Sequence, residues 1–113
     1  MSAQKVTEGL SGSRERLKAL GYEANILLTR DAATIDAQVS EALKERRYDV
    51  IVIGAGLRTL PPMAEHFERL INVLHEKAPQ AKLAFNSQPA DSDKAALRWL
   101  ARVPPFQVET EAL

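Results

Sequence analysis

The residues with the clearest potential for chemistry are Gly54–Gly56, which directly follow four branched aliphatic residues, Val50–Ile53. A strand followed by Gly-x-Gly is how a dinucleotide-binding loop begins, because the glycines let the backbone approach a pyrophosphate. That fingerprint needs a third glycine, and its position holds Thr59. Leu60–Pro62 then delay the next predicted helix, whose N-terminus would otherwise meet the phosphate. We therefore expect no dinucleotide to bind here in the usual way.

Two interpretations of Gly54–Gly56 stay open. In the first, the glycines supply backbone freedom where a buried strand turns sharply. In the second, their N–H groups form an anion-binding nest beside Arg58 and Arg30, which clamp a carboxylate or phosphate. Asn86 and Ser87 would orient a neutral group, since ligands of open parallel sheets bind beyond the carboxyl ends of the strands. The candidate binding residues are Arg30, Gly54, Ala55, Gly56, Arg58, Asn86 and Ser87.

Elsewhere the sequence predicts neither a catalytic residue nor a metal site. The chain has no cysteine and only two histidines, His66 and His75. His66 adjoins Glu65, but neighbouring helical residues point about 100° apart, so we expect a half-exposed structural histidine rather than an acid–base pair. Asp91 and Asp93 stand at a predicted helix start, where capping explains them. We predict no cofactor, and a nucleotide or FMN at the strand ends is the alternative.

Three predicted strands position these residues, at 24–29, 49–53 and 81–85, and each is followed by a helix. The second strand is apolar without alternation, which indicates burial on both faces in a parallel sheet covered by helices. Strands that alternate with helices predict right-handed crossovers and a three-layer α/β fold. The helices are predicted over residues 2–20, 34–46, 63–77 and 92–103.

The first helix has one clear end signal and two weak points. Gly21 suits the left-handed residue that follows a helix. Gly9 and Gly12 each weaken the helix by about 1 kcal/mol relative to alanine. We expect residues 1–103 to form a single domain and residues 104–113, which show no periodicity, to form a C-terminal tail.

Two segments carry a resemblance to known proteins, RYDVIVIGAGLR at residues 47–58 and AKLAFNSQPAD at residues 81–91. From Tyr22 to about Trp99 the chain resembles small bacterial proteins with a flavodoxin-like or Rossmann-like sheet. The resemblance implies a fold and no activity. It also implies a strand before the first helix, which the sequence beginning at Met1 lacks.

The open sheet edge that this arrangement leaves has two explanations. Unpaired edges invite association, so a second copy of the chain would cover the edge in a homodimer. Alternatively, Met1 is not the natural start and an opening strand is missing, which the resemblance favours. Both explanations predict that the edge is covered in the functional protein.

Composition excludes several classes of function. Fifteen basic residues balance fifteen acidic ones, which argues against a nucleic-acid binder and a polybasic membrane anchor. No apolar run approaches the ~20 residues that span a bilayer, and no secretory signal is present, so we expect a cytoplasmic protein. We predict a non-catalytic module that self-associates or binds a partner. The alternative is a binder of a small anionic ligand, bearing phosphate or carboxylate and including nucleotides, at the strand ends.

Overall fold

The computed structural model describes residues 3–29, 31–100 and 111–112. The helices are α1 (Ala3–Ala19), α2 (Ile35–Glu45), α3 (Ala55–Thr59), α4 (Ala64–Lys77) and α5 (Ser92–Leu100). The strands are β1 (Glu23–Ala24), β2 (Val50–Ile53), β3 (Lys82–Phe85) and β4 (Glu111–Ala112). Single 3₁₀ turns occupy Pro61–Met63 and Pro89–Asp91. The prediction of a mixed α/β fold with a parallel sheet is confirmed. None of the described helices is long and apolar enough to cross a membrane.

The best-formed part of the sheet is the parallel pair β2–β3, which runs from Val50 opposite Lys82 to Ile53 opposite Phe85. Ile51 and Ile53 pack in one apolar cluster with residues of α2 and α4, whereas Val50 packs in another with α1 and α5. Successive side chains of a strand point to opposite faces of its sheet. Helices therefore cover β2 on both faces, as its uninterrupted apolar run predicts.

The first predicted strand, over residues 24–29, is not confirmed along most of its length. β1 is two residues long, and residues 25–29 continue from it without strand pairing to any described residue. A side chain holds this segment instead, since Gln38 Nε2 donates a hydrogen bond to the Leu28 carbonyl at 3.1 Å. An apolar run becomes a strand only where a neighbouring backbone satisfies its N–H and C=O groups.

β4 lies between β1 and β2, giving the strand order β1-β4-β2-β3 with every pair parallel. Ala112 is opposite both Ala24 and Val50. This strand belongs to the predicted tail 104–113, the rest of which lies outside the described residues. Periodicity could not reveal β4, because a two-residue strand has no period. The division into a domain and a tail stays a prediction.

α1 ends as the sequence predicts, with Gly21 in the left-handed region at φ 93°. The Gly21 N–H donates to the Lys18 carbonyl at 2.9 Å, and the Tyr22 N–H donates to the Leu17 carbonyl at 3.1 Å. These two bonds satisfy carbonyls that the helix leaves unpaired, and the left-handed residue turns the chain back towards β1.

α1 also packs very closely against the 3₁₀ turn Pro89–Asp91. A Cβ atom at Gly9 would lie 2.8 Å from Pro89 Cβ and 2.9 Å from the backbone nitrogen of Ala90. Gly12 differs, because its nearest neighbour is the flexible Arg16 side chain at 3.3 Å. Gly9 is therefore required by packing, although the sequence indicates only that it weakens the helix.

Candidate binding site at the carboxyl ends of the strands

A cavity of about 650 Å³ opens beside the carboxyl end of β2. Its walls come from α1, residues 24–29, α2, β2, the start of α3 and the loop after β3. Apolar side chains dominate these walls, and among them are Val6, Leu10, Leu28, Val39, Leu43 and Met63. A volume in the range of about 300–1,000 Å³ and a mostly apolar lining are usual for ligand pockets.

The structure brings together most of the predicted site residues at this cavity. Gly54–Gly56, Asn86 and Ser87 all line it. Arg58 does not line it, and Arg30 lies outside the described residues. The sequence thus located one rim of the cavity, whereas its apolar walls are assembled by packing.

The geometry of Gly54–Gly56 corrects two predictions. Gly54 has φ −68° and ψ 146°, Gly21 is the only described residue with positive φ, and a Cβ at Gly54 or Gly56 would meet nothing within 4 Å. The interpretation that a sharp turn requires these glycines is therefore wrong. The prediction that the next helix is delayed is also wrong, because α3 begins at Ala55 and occupies five residues before the prolines.

Asn86 fixes the position of the cavity rim that Gly54–Gly56, Asn86 and Ser87 form. Its side chain is buried at 4% exposure, and its Oδ1 accepts a hydrogen bond from the Ala55 N–H at 2.7 Å. Its Nδ2 donates to Ser92 Oγ at 2.8 Å, and that hydroxyl donates to the Pro89 carbonyl at 2.8 Å. The amide predicted to orient a ligand is therefore bonded at both of its polar atoms, and it ties the end of β2 to the loop after β3.

Arg58 braces the end of β3. Its Nη2 donates to the Asn86 carbonyl, and its Cζ lies 5.2 Å from the centre of the Phe85 ring, a cation–π contact. Its Nε is buried without a hydrogen-bond partner. In this geometry the guanidinium stabilises the rim, and the predicted clamp with Arg30 stays a prediction.

Ser87 and Asp91 form a second brace on the same loop. The Ser87 N–H donates to Asp91 Oδ1 at 3.0 Å, the Ser87 hydroxyl donates to Oδ2, and the Gln88 N–H donates to Oδ1 at 3.3 Å. Burial acts to raise the pKa of Asp91, but these hydrogen bonds outweigh it and hold the pKa below the ordinary value. Asp91 is predicted to cap the last helix, but its side chain instead completes the capping box of the 3₁₀ turn Pro89–Asp91, which precedes α5.

Arg14 is a cavity residue that the sequence did not identify. It lies on α1 and is partly buried, and its Nε is buried without a hydrogen-bond partner. Leaving a buried donor unpaired costs about 1–3 kcal/mol. An acceptor placed in the cavity near Arg14 would recover that energy. Composition could not single it out, because α1 carries several cations and only packing decides which of them becomes buried.

His66 corrects the expectation of a half-exposed histidine. It is 5% exposed, and its Nε2 lies 2.9 Å from the Thr29 hydroxyl, which lines the cavity. α4 turns this residue towards residues 25–29, so the contact depends on tertiary packing. Within the described ranges, no group of three histidine, aspartate or glutamate side chains could hold a metal ion.

A polar cluster of Ser13, Arg16 and Asp93 joins α1 to α5. Arg16 Nε lies 2.9 Å from Asp93 Oδ2, Arg16 Nη2 lies 3.1 Å from Oδ1, and the Ser13 hydroxyl lies 3.2 Å from Oδ1. Chiefly because of the Arg16 hydrogen bond, the pKa of Asp93 is below its ordinary value, and that bond also raises the pKa of Arg16. Asp93 thus anchors one helix to another rather than simply capping one. The cluster contains no histidine that could activate Ser13 as a nucleophile.

Comparisons of this chain with family models, with curated proteins and with solved structures find no match.

Proposed function

We propose that this chain is a non-catalytic binding module whose site is the cavity at the carboxyl end of β2, and that it self-associates or binds a partner there. The observation that carries the proposal is the open apolar wall formed by Ile51, Val52 and Ile53 together with α1 and α2. Two buried polar residues nearby, Asn86 and Ser92, are hydrogen-bonded to one another, so they serve the shape of the rim.

The proposal includes a flavodoxin-like or Rossmann-like sheet of three main strands, with residues 25–29 completing the first. The parallel order and the helices on both faces of β2 support it. We also propose that the chain forms a homodimer and that it is a cytoplasmic protein of bacterial origin. The absence of cysteine is consistent with a reducing compartment.

A small anionic ligand is the second candidate, and two observations favour it. Arg14 has a buried Nε without a partner, and anions with an apolar body would satisfy it in this cavity. Gly54 and Gly56 leave open space where a side chain would otherwise stand. Glycines that packing does not require allow close approach of a bound group to the backbone.

Self-association is tested by sedimentation velocity over a wide range of protein concentration. Leu10→Trp places a larger side chain in the cavity, and Leu20→Trp is the control because Leu20 is 61% exposed and does not line the cavity. We expect concentration-dependent association in the wild type and in Leu20→Trp, and its loss in Leu10→Trp. Association that is equal in all three chains would contradict a cavity interface.

The anionic ligand is tested by thermal shift with nucleotides, FMN, NAD and sugar phosphates. A ligand at 100 times its dissociation constant adds about 2.7 kcal/mol of stability. We expect Arg14→Gln to remove the shift, and Lys18→Gln, an exposed position on the same helix, to preserve it. A shift that survives Arg14→Gln, or no shift with any compound, would contradict this candidate.

A further inference from the structure

We propose that the cavity binds a straight-chain aliphatic monocarboxylate of about 8–12 carbons, with its carboxylate on Arg14 and its alkyl tail along the apolar walls. This inference rests on the second candidate function, a small anionic ligand in this cavity, and it names the chemical class of that ligand. Three features of the described lining carry it: the one unpaired polar atom, the single charge and the aliphatic walls.

Arg14 lies on α1 between apolar residues that line the same cavity. Leu10 is four residues before it and Leu17 is three residues after it, so the three share one face of the helix. Arg14 Nε is buried without a hydrogen-bond partner. A guanidinium can bind a carboxylate through two parallel hydrogen bonds. A carboxylate in the cavity would therefore supply the acceptor that Nε lacks.

The uncharged polar side chains of the cavity are already hydrogen-bonded within the protein. Every described hydroxyl and side-chain amide of the lining makes at least one such bond. Asn25 Nδ2, for example, donates to the Tyr48 hydroxyl at 3.3 Å, and the Thr59 hydroxyl donates to the Ala55 carbonyl at 2.9 Å. A ligand rich in hydroxyl groups would have to break these bonds. The lining therefore favours a ligand with one polar group, placed at Arg14.

The charge of the lining favours a monoanion. Arg14 is the only charged residue among the described lining residues. A carboxylate balances one guanidinium, whereas a phosphate monoester brings nearly two negative charges at neutral pH and would leave one unpaired among apolar side chains. The described lining also contains no aromatic residue. Nucleotide bases are commonly held by stacking on aromatic side chains, so an aliphatic body fits this cavity better than a nucleotide.

The remaining walls suit an alkyl chain. Leu43, Met63 and Leu70 are among the aliphatic residues there. Leu28 and Leu60 also line the cavity, and at 58% and 55% exposure they present apolar surface to water. A tail that covers them removes this surface from water. A cavity of about 150 Å³ holds benzene, so this one, at about 650 Å³, has room for a chain of about 8–12 carbons.

The test measures binding of octanoate to the whole chain by isothermal titration calorimetry. The controls are 1-octanol and octyltrimethylammonium, which have the same chain length and no negative charge. We expect octanoate to bind at least about tenfold more tightly than 1-octanol, and octyltrimethylammonium not to bind. From hexanoate to decanoate, each added CH₂ should tighten binding about fourfold, because it buries further apolar surface.

Two pairs of variants locate the ligand. Arg14→Gln should weaken octanoate binding at least about tenfold and leave 1-octanol binding unchanged, because only the carboxylate uses the guanidinium. Lys18→Gln, at an exposed position on the same helix, should change neither. Leu10→Trp, which reduces the space for the tail, should weaken binding of both compounds, and Leu20→Trp should weaken neither.

Octanoate that binds no more tightly than 1-octanol, an affinity independent of chain length, or an affinity that survives Arg14→Gln would overturn the inference. If Arg14→Gln or Leu10→Trp does not fold, the three octyl compounds and the chain-length series on the wild-type chain still decide the matter.

Adding octanoate and octyl phosphate to the thermal-shift screen separates this inference from the proposed function. If no alkyl carboxylate binds, but octyl phosphate or a nucleotide gives a shift that Arg14→Gln removes, the inference is overturned and the anionic-ligand function stands. If no anion binds, both are overturned together. Self-association of the chain is decided separately by sedimentation velocity.

Discussion

Two regions of this molecule contain glycines within or next to a helix, and in each region the structural need for glycine is the opposite of what the sequence indicates. Gly54 and Gly56 follow a buried strand and resemble part of a phosphate loop, yet alanine would fit at both positions. Gly9 lies inside α1, where glycine is unfavourable, yet a side chain there would collide with Pro89 and Ala90. A position requires glycine when another part of the chain packs too close to leave room for a Cβ atom. The neighbouring sequence does not show which part of the chain packs there.

The largest expected effect is at Gly9. The Gly9→Ala substitution should lower the free energy of unfolding by about 2 kcal/mol, because overpacking against a backbone outweighs the helix propensity that alanine gains. Chemical denaturation measures the change. Gly12→Ala is the matched control, since its neighbour is a movable arginine, and it should be neutral or stabilising by up to about 1 kcal/mol. Equal stability of the two variants would refute the close approach of α1 to the 3₁₀ turn.

A slightly smaller effect is expected from the polar cluster that supports the same approach. Asp93→Asn should destabilise the chain by about 1.5 kcal/mol, because a charged hydrogen-bond acceptor for Arg16 and Ser13 is lost. Asp36→Asn is the control, since its contact with Arg69 at 3.4 Å is on the surface. That control should change stability by less than about 0.5 kcal/mol. A larger loss in Asp36→Asn than in Asp93→Asn would break the distinction between the two ion pairs.

The same cluster predicts a dependence of stability on pH. The pKa of Asp93 in the folded chain is below its ordinary value of 3.8. Its contribution to stability is therefore fully present above that ordinary value and is lost as pH falls through it towards the folded pKa. Denaturation curves at a series of acidic pH values should show a steeper loss for the wild type than for Asp93→Asn. Parallel curves would show that ionised Asp93 does not contribute to the pH dependence of stability. The pKa of Asp91 is also below its ordinary value, so the Asp91→Asn variant is measured to separate its contribution.

The smallest expected effect is at Gly56, where the substitution should raise the free energy of unfolding rather than lower it. The Gly56→Ala substitution should stabilise the free chain by up to about 1 kcal/mol, because Gly56 lies within α3 without a packing reason. If open space at this position serves a bound group, the same substitution should weaken binding of that group. Melting temperatures with and without a compound found by thermal shift measure both effects. Destabilisation of the free chain would restore the steric interpretation of Gly54–Gly56.

The elements that the sequence predicted well are those whose signal is local. β2, β3 and α4 lie within a residue or so of their predicted bounds, because continuous apolar runs and a clear helical stripe are bounded by glycine and proline. Residues 24–29 have a similar apolar run but pair over β1 alone. Their partner, β4, comes from the far end of the chain, so no local pattern could decide their state.

The residues of the candidate site also fall into two groups, those that the sequence identified and those that it missed. Asn86 and Gly54 were identified because strand ends of a parallel sheet meet at one edge, and that rule needs only the order of elements. Arg14 and His66 were missed, since their burial depends on how α1 and α4 face residues 25–29. The predicted role of Arg58 as a ligand clamp is not reflected in its contacts, which are with Phe85 at the end of β3 and with the following residue, Asn86.

The sequence alone determined that an apolar strand, Val50–Ile53, would be covered by helices on both faces, because apolar residues without alternation leave no face for water. Only the tertiary structure decided that a short strand, β4, from the far end of the chain pairs beside it and that a cavity opens at its carboxyl end. The physical reason is that strand pairing and close packing join residues far apart in the chain, and the free energy of those contacts belongs to neither segment by itself.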